Sequence, residues 1–169
     1  MKLMQGNQRG FTLVEVMVGV VIMALVGLAA ATAIIQVVNA GRNSSHMSAL
    51  RQVQTAGYWV SRDGLQAQGV SIAEGTGFPL ELTWQDWDDY EVHQVVYSLQ
   101  DMPSGSLKKL WRQETINGGE PTNTLVARYI DTSATSCQWD GSQITFEVSA
   151  TLEQQTESRT YEIKPRPEA

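Results

Sequence analysis

Hydrophobic and polar positions fall into distinct regimes along this chain. Residues 16–35 form an uninterrupted uncharged run of 20 residues. At about 1.5 Å of rise per residue, that run makes a helix of roughly 30 Å, enough to cross a bilayer. Residues 39–45 are polar. From His46 to about Gln66, Met47, Leu50, Val53, Tyr58, Val60 and Leu65 recur at imperfect helical spacing, broken by Gly57 and Gly64. No proline occurs before Pro79. The pattern therefore predicts one long helix from Phe11 to about Gln66, whose second half buries an apolar face against a sheet.

After Gln68 the period changes. Gly69, Gly75, Gly77 and Pro79 predict a connecting loop. Residues 80–84 and 91–99 read as strands, with His93, Val95, Tyr97 and Leu99 on one face. A turn at 103–105 precedes a third strand at 107–116, and 117–121 is a loop. Residues 125–130 read as a strand or a helical turn. Asp140-Gly141 predicts a type I′ hairpin turn between 136–139 and 142–152. Ile144, Phe146, Val148, Ala150 and Leu152 alternate with polar residues, which implies a sheet with one wet face. Residues 159–163 form the last strand, ended by Pro165 and Pro167. A long helix followed by antiparallel strands is an α+β plan with the helix laid on the sheet.

Charge sharpens this reading. The formal net charge is −6. An acidic chain without clustered Lys and Arg argues against direct nucleic-acid binding. Residues 42–169 are enough for one domain with its own core. Lys2 and Arg9 precede the apolar run, which places the short leader in the cytoplasm and the head outside. The single cysteine, Cys137, excludes an intrachain disulfide and reads as a small buried hydrophobe.

Glu15 stands at the head of the apolar helix, and a carboxylate there is costly enough to imply a function. The run Gly10-Phe11-Thr12-Leu13-Val14-Glu15 resembles the processing site of the type IV prepilin and type II secretion pseudopilin family. The resemblance implies a leader (1–10), cut after Gly10 by a prepilin peptidase that also N-methylates Phe11. It implies a transmembrane and filament-core helix (11–41) and a pilin-like head (42–169). Glu15 would meet the Phe11 amine of a neighbouring subunit as an assembly register. Implied partners are other pilin or pseudopilin subunits, the peptidase and N-methyltransferase, and an inner-membrane assembly platform. The implied location is the inner membrane, then an extracytoplasmic filament. Tyr97-Ser98-Leu99, residues 107–112 and the run Tyr161-Glu162-Ile163-Lys164-Pro165-Arg166 are most similar to the J-type minor pseudopilins and related minor pilins. Two other readings are a permanently anchored binding protein and a secreted domain. For the latter, Ala29-Ala30-Ala31 or Ala31-Thr32-Ala33 would be a signal-peptidase site. Glu15 inside the apolar region, and the continuation through Ile34, Ile35, Val37 and Val38, count against it.

Enzyme motifs are absent, and His46 and His93 lack metal-ligand spacing. Asp86, Asp88, Asp89 and Glu91 place four carboxylates in six residues. Calcium, which takes six to eight oxygens, is one reading of that cluster; a solvated hairpin turn is the other. Of the five tryptophans, most are expected in the core, with Trp87 partly exposed as an anchor for a partner subunit.

Overall fold

The computed structural model describes residues 12–166. The chain divides into two compact units between Arg42 and Asn43. A single helix, α1 (Leu13–Gln66), is followed by β1 (Gly69–Ile72), β2 (Leu80–Gln85), β3 (Val92–Asp101), β4 (Lys108–Ile116) and β5 (Thr122–Ile130). A short 3-10 turn, Thr132–Ala134, leads into β6 (Ser136–Trp139), β7 (Ile144–Leu152) and β8 (Gln155–Ile163). This is an α+β, pilin-like arrangement of one long N-terminal helix and a curled antiparallel sheet.

In the first unit the helix is apolar all round. Leu13, Val18, Met23, Leu28 and Ile34 are all exposed. Successive positions five or six apart turn well over 100° around the axis, so these side chains sample the whole circumference. A helix without a polar face suits lipid or a bundle of similar helices rather than water. It is the one helix among the described residues long and apolar enough to span a membrane.

In the second unit α1 becomes one-sided. Its buried residues are Ser45, Ala49, Val53, Ala56, Gly57, Val60, Asp63 and Gly64. Their spacing of three and four draws one stripe along the helix. The stripe packs with Leu80, Leu82, Val95, Tyr97, Leu110, Ile144, Phe146, Val148 and Ile163 into one hydrophobic core. The sheet order is β1-β2-β3-β4-β5-β7-β6, and β8 pairs with β7. Every pairing is antiparallel, and β5 meets β7 through the single pair Ile130 and Ala150.

Four details differ from the sequence expectation. The glycine-rich stretch after Gln68 contains β1, which pairs Gly69 with Thr83 through Ile72 with Leu80. Residues 125–130 belong to a longer strand that starts at Thr122. The turn at Asp140-Gly141 is not type I′, which needs two positive φ values. Only Gly141 has one, at 92°. Trp139 pairs with Ile144, and Asp140 Oδ1 accepts the Ser142 and Gln143 amides at 2.8 and 2.7 Å. A local carboxylate thus closes a four-residue loop and replaces the expected backbone turn. Finally, β8 begins at Gln155, because Glu153 (φ 56°) makes a two-residue turn after Leu152.

Gly57 and Gly64 are close-approach sites rather than interruptions of the helix. A Cβ on Gly57 would run into the ring of Tyr161, whose hydroxyl donates to the Val53 carbonyl at 3.3 Å. A Cβ on Gly64 would lie 2.9 Å from Ile163 Cγ2. The bare helix backbone lets β8 lie against α1. Gly57→Ala is therefore expected to lower head stability by about 1–3 kcal/mol, the usual cost of overpacking, even though alanine is the better helix former. Thermal denaturation followed by near-UV circular dichroism checks this. An unchanged or raised midpoint would contradict the close-packing account.

Candidate functional site

Glu15 lies in the first turn of α1. Its amide donates to the Thr12 carbonyl at 3.0 Å and to Thr12 Oγ1 at 3.3 Å. Thr12 is thus the cap of the helix, and Thr12 to Glu15 has the spacing of a capping box. The signal for this second role is Thr-x-x-Glu ahead of an apolar run. The Glu15 side chain is exposed and has no ion pair among the described residues. A carboxylate also suits the positive end of the helix dipole. Gly10 and Phe11 lie outside the described residues.

The acidic cluster forms the turn between β2 and β3. The Asp86 amide donates to the Glu91 carbonyl at 2.9 Å, and Asp89 Oδ1 accepts the Glu91 amide at 3.1 Å. Gln85 Nε2 donates to the Tyr90 carbonyl at 3.0 Å. Tyr90 is held at φ 60°. Among the described residues, no three His, Cys, Asp or Glu side chains are grouped as a metal ion would require. Trp87 is 68% exposed, in keeping with its charged neighbourhood. Of the other tryptophans only Trp84 is fully buried; Trp59, Trp111 and Trp139 are half-buried.

The most connected polar group in the head is one that sequence reasoning missed. Asp63 of α1 is buried at 2% exposure and faces Arg112 of β4, itself at 5%. Arg112 Nε donates to Asp63 Oδ2 at 2.6 Å, and Nη2 to Asp63 Oδ1 at 3.3 Å. The Tyr97 hydroxyl of β3 donates to the same Oδ2 at 2.5 Å. Arg112 Nη1 donates to Glu114 Oε2 at 2.8 Å, and Glu114 Oε1 lies 3.2 Å from His93 Nδ1. His93 Nε2 lies 3.3 Å from Asp86 Oδ2, and the imidazole stacks on Trp84 with centroids 5.0 Å apart. The guanidinium of Arg112 also sits 5.1 Å from the Trp59 ring centroid, within cation–π range.

This chain of contacts runs from α1 through β3 and β4 to the acidic turn. Burial pushes the Tyr97 phenol up, and the neighbouring Asp63 carboxylate adds to the shift. Burial alone would lower Arg112, but its hydrogen bonds to Glu114 and Asp63 outweigh that and hold the guanidinium charged. The hydrogen bond from Arg112 holds Glu114 below the usual carboxylate range. Cys137 is buried, and burial pushes its thiol up to about 12, in keeping with a packing role. The register hints at the network: Asp63 follows Val60 on the buried helix stripe, and Arg112 alternates with Leu110 on the inner face of β4. A charge at a core position is the mark of a paired buried ion.

The depressed Glu114 value has a pH consequence. A carboxyl whose folded pKa lies below its unfolded value of 4.5 contributes stability that is present above 4.5 and lost as pH falls through the folded value. The melting temperature should therefore drop in the acid range below 4.5, and Glu114→Gln should flatten that drop while lowering the melting temperature at pH 7. Parallel pH slopes for the variant and the parent would remove Glu114 from the account.

Residues 5–31 match the prokaryotic N-terminal methylation motif. No curated protein and no solved structure matches the chain. The motif overlaps the apolar half of α1, and the two together fit a single-pass inner-membrane anchor. A prepilin-type motif that runs into a long helix, followed by a curled antiparallel sheet, supports the type IV pilin and pseudopilin family for this chain, a structural rather than catalytic class.

Proposed function

We propose that this chain is a minor pilin or minor pseudopilin. It is cut after Gly10, held in the inner membrane with its head outside, and packed through α1 into the filament or tip complex of a type II secretion or type IV pilus machine. The observation that carries this reading is the overlap of the methylation motif at 5–31 with a helix that is apolar on every side. Such a surface is satisfied first by lipid and then by other helices like itself. On this reading residues 1–10 are the leader, 11–41 the membrane and filament segment, and 42–169 the head. Its partners are the peptidase and N-methyltransferase, the assembly platform and other subunits. The J-type minor pseudopilins are the subtype we favour, on residues that fall in β3, β4 and β8.

Glu15 supplies the assembly register. Among packed apolar helices an unpaired carboxylate costs several kcal/mol. The methylated amine of a neighbouring Phe11 offsets that cost with opposite charge and hydrogen bonds. Only a subunit at the correct axial offset presents its amine there.

Mass spectrometry of the protein extracted from membranes is expected to find N-methylated Phe11 at the mature N-terminus, and Gly10→Val to retain the leader. A start near Thr32, or an uncut leader in the parent protein, would overturn the reading. Glu15→Val is expected to insert and be cut after Gly10, yet to disappear from sheared filaments and from co-purified tip complexes. Recovery at parental levels in both fractions would leave Glu15 as a first-turn carboxylate with no part in assembly.

A further inference from the structure

A groove of about 630 Å³ opens at the end of the sheet where β1, β2 and the acidic turn meet. Its walls include Gly69, Trp84, Asp86, Trp87, Tyr90 and Val92. Trp84 is buried at 5% exposure, but Trp87 and Tyr90 are 68% and 72% exposed. Two large aromatics left in water on one short turn forgo burial that the nearby core could have supplied. They are also held in place. Tyr90 keeps φ 60°, a costly conformation for an aromatic residue, under the hydrogen bonds from Gln85 Nε2 to its carbonyl and from the Asp86 amide to Glu91.

The charges of the turn that carries these rings are all negative, and Arg166 lies beyond Gln68 and Gly69 in the adjoining pocket. Asp86, Asp88, Asp89 and Glu91 stand in the turn, and no Lys or Arg occurs between Arg62 and Lys108. None of the groove-lining residues is cationic. Among the described residues the carboxylates of the turn have no Lys or Arg partner; Asp86 and Glu91 lie 3.3 and 4.0 Å from His93 Nε2. The groove therefore combines aromatic faces, which attract cations, with the Asp86 carboxylate in its wall and three more carboxylates on the same turn.

We propose that this groove docks an arginine-bearing segment of a partner protein. The occupant follows from the chemistry. A planar guanidinium stacks on an open tryptophan or tyrosine face and pairs with carboxylates through several N–H groups at once. A quaternary ammonium headgroup has no N–H for the carboxylates, and it is best served by a closed cage rather than by two rings this exposed. A second copy of the chain brings its own net charge of −6 toward the groove. The inference stands on the head and does not rest on the filament reading, so its failure leaves the assignment of Gly10, Phe11 and Glu15 untouched.

The test uses the full chain in uncharged detergent micelles, with fluorescently labelled hexa-arginine as the probe, hexaglutamate as the charge control and tetramethylammonium as the competing chemistry. Anisotropy titrations at fixed salt are expected to show hexa-arginine binding that hexaglutamate lacks. Trp87→Ala, which keeps every charge, is expected to weaken it about tenfold, as loss of an aromatic anchor does. Asp86→Asn is expected to weaken it too and to reduce its salt dependence. Trp87 is exposed, so the melting temperature of Trp87→Ala should hold. Equal affinity for Trp87→Ala and the parent would mean diffuse charge attraction and would overturn the groove. Displacement of the peptide by millimolar tetramethylammonium would overturn the arginine assignment.

Discussion

The head is organised around a carboxylate that has no access to water. Asp63 lies on the buried stripe of α1, where an uncompensated negative charge would be costly enough to unfold a marginal domain. It is tolerated because Arg112 and Tyr97 reach it from adjacent strands at hydrogen-bond distance. The requirement runs both ways. The helix settles where the guanidinium meets Asp63, and β3 and β4 must keep the register that sets Tyr97 opposite Arg112. Apolar packing, such as that of Val60 and Leu82 within the core, supplies burial but accepts small slips, whereas a bidentate ion pair does not.

From that tie a hydrogen-bonded network reaches outward as far as His93, whose Nε2 approaches Asp86 without a hydrogen bond. Glu114 and His93 extend it along the sheet toward Asp86, at the edge of the turn that carries Trp87 and Tyr90. The surface turn thereby adjoins the polar network of the helix core, with the His93 ring stacked on Trp84 between them. Its rings are presented by a braced scaffold rather than by a loose loop, which limits the ordering entropy that docking would incur.

Much of this architecture is legible in the order of residues alone. The uncharged run and the absence of proline before Pro79 specify a single long helix, and strict alternation over Ile144–Leu152 specifies a one-sided strand. Glu15 stands out because a charge contrasts with apolar neighbours. Asp63 and Arg112 do not, because each sits among other polar residues and only three-dimensional register shows them inward. Gly57 and Gly64 read as weak points, since a sequence cannot show that a tyrosine and an isoleucine fill the space they leave. The β1 strand is hidden for a related reason. Gly69 has low strand propensity, and its place against Thr83 comes from tertiary pairing. At Asp140 the residue types are right for a turn, but the side chain's own hydrogen bonds choose a different one.

The burial of Cys137 has a chemical consequence. Thiol exchange and oxidation proceed through the thiolate, and burial pushes this thiol up, which disfavours the thiolate at pH 7. The Cys137 amide donates to the Thr76 carbonyl at 2.8 Å, and the residue is buried out of reach of a second protein. A lone cysteine in an oxidising compartment is ordinarily a route to unwanted covalent dimers. Here burial in the core keeps the sulfur away from that chemistry.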